Sequence, residues 1–109
     1  MSEPETDLIE AIRNGLPPGV EFDGREETLL SLAARQARDV ERAEADLEER
    51  GYLVAGSQGQ RVVNPSLSEA RQGRVVLGRL LGQLDLPEST REAVRSARHA
   101  AETRWERAS

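Results

Sequence analysis

"GSQGQRVVNPSLSEARQ", residues 56–72, joins two long helical patterns and decides how the chain is laid out. With the residues before it, "YLVAGSQGQRVV" (52–63) contains two short β-prone runs around Gly56 and Gly59, the pattern of a small hairpin that is marginal in isolation. Asn64-Pro65 then breaks the strand pattern. Two helix entrances fit: Asn64 as cap with Pro65 in the first turn, or Ser66 as cap with Glu69 completing a capping box. Either way a helix begins near residue 66.

That helix, expected over 66–84, is apolar on more than one side. At about 100° per residue, Leu67, Ala70, Leu77, Leu81 and Leu84 share one face, while Val75, Val76 and Leu80 point elsewhere. Such a helix needs cover that a single antiparallel partner does not supply. Gly73, Gly78 and Gly82 each cost roughly 1 kcal/mol relative to Ala inside a helix, which suggests close approach of neighbouring backbones. Self-assembly is the resulting expectation, with Gly73, Arg74, Val76, Leu77, Gly78, Leu80 and Leu81 at the contact between subunits. Arg74 lies within the apolar face, so its guanidinium needs an acid from the preceding helix or from a neighbouring subunit, or a place on a central opening; an ion pair is the favoured reading.

Upstream, Asp23 and Glu26 have capping-box spacing and the next Gly is Gly51, so one helix is expected over 24–50. Leu29, Ala33, Gln36, Val40, Ala43 and Leu47 follow alternating steps of four and three, the narrow seam of a shallow-angle helix pair. Arg35, Arg38 and Arg42 lie on the far side among Asp39, Asp46 and Glu49, either as a solvated face laced with Arg–acid pairs, the favoured reading, or as a DNA-contacting face. Before it, "ETDLIEAIRN" (5–14) forms a short amphipathic helix with Leu8, Ile9 and Ile12 on one stripe, stopped by Gly15 and "LPPG". It either packs on its own domain or docks a partner.

Downstream, Ser89 and Glu92 open a helix running toward the C-terminus. Arg91, Arg95 and Arg98 share one of its faces, either as a phosphate-facing stripe or as a solvated surface. His99 is expected on that surface without chemistry, and Trp105 as a packing anchor. The fold expected is mainly α: a long antiparallel helical hairpin (23–87) with a short β-like Gly-rich connection, flanked by an acidic arm (1–22) and a C-terminal helix (88–109).

Composition narrows the function. All fifteen basic residues of the 109 are Arg, there is no Cys, and the net charge is −5. A chain without Lys has no P-loop or Schiff-base lysine, and one without Cys has neither thiol nucleophile nor thiolate metal site. A single His makes no multi-histidine metal site, and no triad-like spacing stands out. A non-enzyme without a cofactor is expected. Charge is uneven: residues 1–27 hold eight acids against two Arg, residues 66–109 six acids against eight Arg. Overall acidity argues against a general nucleic-acid binder, while the C-terminal half still has the composition for a local basic patch. No leader pattern opens the sequence and no apolar run approaches bilayer length, so a soluble intracellular protein with no membrane partner is expected.

Taken in order, the acidic arm ending in "GLPPGVEFDGREE", the helix "LLSLAARQARDVERAEADLEERG", the link "GSQGQRVVNPSLSEARQ", the helix end "LGRLLGQLDLP" and the tail "ARHAAETRWER" resemble the small terminase subunits of tailed bacteriophages and prophages, specifically the short group built on a helical hairpin. The succession of helix, Gly-rich link, Asn-Pro and helix is the most specific part, and the similarity covers most of the chain. The resemblance implies a ring-forming homo-oligomer in the cytoplasm of the bacterial host. Such a ring recognises double-stranded viral DNA and serves the large terminase subunit, which carries the ATPase and nuclease. Arg61, Arg71, Arg91, Arg95 and Arg98 are then the candidates for DNA contact. The rival reading is a small helical adaptor that binds only protein.

Overall fold

The computed structural model describes residues 2–84 together with Leu86, Glu92, Arg95 and His99. The chain is mainly helical with one small antiparallel sheet: α1 (Glu3–Asn14), α2 (Gly24–Arg50), β1 (Leu53–Ala55), β2 (Arg61–Val63) and α3 (Pro65–Gly82).

Local chemistry sets each boundary. Asp23 Oδ1 accepts from the Glu26 amide at 2.8 Å and Glu26 Oε1 accepts from the Asp23 amide at 3.2 Å, a reciprocal box that starts α2. Gly51, at φ 82°, stops it, and its amide donates to the Leu47 carbonyl at 2.8 Å. Of the two entrances proposed for α3, the structure uses the first: Asn64 Oδ1 accepts from the Ser66 amide at 3.0 Å and Pro65 is the first helical residue. α3 ends at Gly82, two residues before the expected limit.

Between the helices, β1 and β2 pair with Leu53 opposite Val63, Val54 opposite Val62 and Ala55 opposite Arg61. The turn is closed by the Gly56 amide donating to the Gln60 carbonyl at 2.6 Å, and Gly59 supplies the positive φ of 81°. Beyond it α3 runs back along α2, bringing Ser66 to Asp46, Arg74 to Glu44 and Gly73 to Val40.

Two apolar clusters hold these elements. Ala43, Leu47 and Ala70, with Leu67 packed on them, lie near the ribbon. Ile12, Leu29, Leu30, Leu84 and Leu86 lie at the other end, with Leu8, Ile9, Phe22, Leu80 and Leu81 against them. The Leu29–Leu47 seam is buried as its spacing predicts, apart from half-buried Gln36. A second stripe, Leu30 and Ala34, is buried too. It exists because α1 packs on α2, tied at one end by Arg13 to Glu27 (2.8 and 2.9 Å) and at the other by Arg38 to Glu5 at 3.5 Å. Of the two placements considered for the N-terminal helix, it takes the one on its own chain.

Candidate functional site

The connection between α2 and α3 is built around Asn64, which is wholly buried. Its carboxamide meets four partners: Oδ1 accepts from Ser66 N (3.0 Å) and Arg50 Nη2 (3.3 Å), and Nδ2 donates to Asp46 Oδ2 (3.0 Å) and the Gly51 carbonyl (3.1 Å). Its amide donates to the Tyr52 carbonyl at 2.6 Å. A buried amide so fully paired carries no desolvation penalty for unmet groups and accepts few alternative geometries. Asp46 is the hub, receiving Arg50 through two bonds (2.7 and 3.0 Å), Asn64, and Ser66 Oγ at 2.7 Å. Arg50 foremost, then Ser66 and Asn64, hold its carboxyl far below the usual carboxylate range. Asn64 was legible as a cap; that Asp46 and Arg50 complete its bonding was not.

The residues expected at an intersubunit contact separate into groups. Gly73 and Leu77 are buried within the chain, Gly73 against α2, which corrects their placement at an interface. A Cβ on Gly73 would stand 2.6 Å from Val40 Cγ2 and 2.9 Å from Gln36 Nε2, so its missing side chain admits α2 and not a second subunit. Leu80 and Leu81 are half-buried, packed on the Ile12–Leu29–Leu30 cluster that α1 helps to form. Arg74 pairs with Glu44 of α2 within the chain (Nη2 to Oε1 2.9 Å). Only Val76 and Gly78 of the set are exposed, and a Cβ on Gly78 would meet nothing within 4 Å. Val75, with 54% of its surface accessible, lies open beside them.

Among the candidates for DNA contact, Arg61 is exposed at the end of the ribbon, opposite Ala55, and Arg71 is exposed on α3. Arg95 is helical and exposed, as are Glu92 and His99. Arg91, Arg98, Trp105 and the remainder of the expected C-terminal helix lie outside the described residues. Leu53 and Val63, paired across the ribbon, expose 47% and 60% of their surfaces on one of its faces. Neither was singled out from the sequence, although their alternation with half-buried Val54 and Val62 was there to be read.

On one side of the helix pair an open groove of about 540 Å³ runs between Gln36, Asp39 and Arg42 of α2 and Ser66, Glu69, Gln72 and Val76 of α3. Its lining is mixed in charge. Among the described residues no cluster of three His, Cys, Asp or Glu is placed to hold a metal ion, and no helix is long and apolar enough to cross a membrane.

No protein-family model, curated protein or solved structure matches this chain.

Proposed function

We propose that this protein is a non-catalytic small terminase subunit, a phage DNA-packaging factor that assembles as a homo-oligomeric ring, recognises viral DNA and regulates the large subunit in the host cytoplasm. In this reading α2, the ribbon and α3 act as one long antiparallel hairpin, and neighbouring hairpins form the ring wall. The observation that carries it is the outer side of α3. From Arg71 onward its exposed residues include Val75, Val76, Gly78 and two Arg, with no acid, although the chain as a whole is acidic. That surface suits contact with another macromolecule better than bare solvent. Arg61, Arg91, Arg95 and Arg98 meet DNA, and the absence of a P-loop lysine agrees with ATP hydrolysis residing in the large subunit.

Light scattering at micromolar concentration tests the ring, and a stable monomer ends this reading. Titration with duplex DNA at several salt concentrations tests the partner: binding is expected to weaken with salt and to fall in Arg91→Ala/Arg95→Ala. Stimulation of ATP hydrolysis by the large terminase encoded next to this chain tests the regulatory role.

A second reading, a helical adaptor that binds only protein, is favoured by the net charge of −5. Assembly or partner capture without any salt-dependent DNA binding selects it.

A further inference from the structure

Two exposed triads on different helices match each other in spacing and oppose each other in charge. On α3, Arg71, Val75 and Arg79 stand at steps of four, and all three are exposed. On α2, Glu41, Ala45 and Glu49 stand at the same steps and are exposed as well. Four residues advance a helix by about 6 Å and about 40° around its axis, so each triad forms a gently inclined row about 12 Å long, with its charges at the ends and a small or apolar side chain midway. None of the four charged residues makes a salt bridge or side-chain hydrogen bond among the described residues, although Glu49 lies near enough to Arg50 to favour its charge, whereas Arg13, Arg38, Arg50 and Arg74 all make salt bridges. The basic row has open ground beside it, since a Cβ on Gly78 or Gly82 would meet nothing within 4 Å.

We propose that Arg71–Val75–Arg79 of one copy docks on Glu41–Ala45–Glu49 of the next, so that α3 meets α2 head to tail. The inference rests on the self-assembly reading above and names the surfaces that carry it. Charge selects the arrangement. A two-fold contact of α3 with α3 sets Arg against Arg in either direction, and α2 with α2 sets Glu against Glu, so both like-with-like pairings are repelled. Only the heterologous contact pairs both ends while covering Val75 with Ala45. Repeated, a heterologous contact closes into a ring when its rotation divides a full turn, and runs on as an open filament when it does not. Individual exposed ion pairs contribute little, so their part is register and orientation, while the apolar centre and adjoining surface supply the adhesion. Arg71 is thereby an assembly residue and not a DNA contact.

The test uses two double variants of the full chain, Arg71→Glu/Arg79→Glu and Glu41→Arg/Glu49→Arg, followed by sedimentation velocity, with circular dichroism to confirm that each is folded. Each alone presents like charges at the contact and is expected to lose the oligomer. Mixed in equal amounts, they present opposite charges wherever one variant meets the other and are expected to regain assembly, as alternating closed rings if the subunit number is even and as alternating open oligomers if it is odd. An unmodified chain that is monomeric overturns this inference together with the assembly reading. An unmodified chain that assembles while both folded variants assemble equally well overturns this inference alone. So does loss of assembly in only one variant, which assigns that row to a different partner surface, and so does failure of the mixture to recover. Loss of duplex DNA binding by Arg71→Glu/Arg79→Glu with its oligomer intact overturns it in favour of a nucleic-acid surface.

Discussion

Asn64 Nδ2 donates to Asp46 Oδ2 at 3.0 Å across eighteen residues of sequence, joining the cap of α3 to the last turns of α2. The bond ties the residue that starts one helix to an acid on the other. It explains why so short a connection contains both a glycine turn and an Asn-Pro step: the ribbon reverses the chain, and the buried amide then fixes where α3 begins.

Replacing Asn64 by Ala is therefore expected to be among the most damaging polar substitutions. It removes a helix cap and leaves the Gly51 carbonyl without the side-chain donor that reaches it. A loss of about 2–3 kcal/mol is expected from these two effects together, read from the urea midpoint at constant slope. A change below about 0.5 kcal/mol contradicts the structural role given to this residue.

Acid should weaken the same junction. The Asp46 carboxyl is held below its ordinary range in the folded chain, so the folded state binds fewer protons at this site than the unfolded one. Its contribution is complete above the unfolded-state value of about 4 and fades as pH falls below it. Thermal unfolding between pH 7 and pH 2 is expected to show a steeper acid loss for the unmodified chain than for Asp46→Asn. Parallel curves remove Asp46 from the account of acid sensitivity.

Two glycines of α3 should answer oppositely to alanine. Gly73→Ala forces a methyl to within 2.6 Å of Val40 and is expected to destabilise by about 1–3 kcal/mol. Gly78→Ala adds a methyl in open space and is expected to stabilise the helix by about 0.5–1 kcal/mol. Denaturation of the two variants side by side checks the contrast, and equal signs count against the packing described.

The Glu44–Arg74 pair lies where Glu44 is buried and Arg74 half-buried. Arg74→Leu is expected to cost about 1–3 kcal/mol, because it leaves a buried carboxylate without this guanidinium. The double variant Glu44→Leu/Arg74→Leu is expected to cost less than Arg74→Leu alone. A double-mutant cycle on unfolding free energies measures the difference, and strict additivity speaks against coupling.

Much of the frame was legible because its signals are local. The Asp23–Glu26 box, the Gly51 stop, the Asn64-Pro65 entrance and the Gly56–Gly59 turn each depend on chemistry within about four residues, and each element begins or ends there within two residues of expectation. The seam of α2 was legible because burial repeats with the helix period. The interface set was less so. Gly73 and Leu77 resemble assembly residues in the helical pattern but are buried, Gly73 against Val40 of α2, while Leu80 and Leu81 are half-buried on the cluster to which α1 contributes Ile12.

By itself the sequence determined where the helices and the ribbon lie, which faces are apolar, and that a chain lacking Lys and Cys is denied the chemistries those side chains support. Only the tertiary structure decided which apolar faces remain open, and that the amide capping α3 is satisfied by Asp46 and Arg50. The physical reason is reach. Caps, turns and periodicity are settled by neighbours along the chain, whereas cover and hydrogen-bond completion depend on the register in which distant helices meet, and packing alone sets that register.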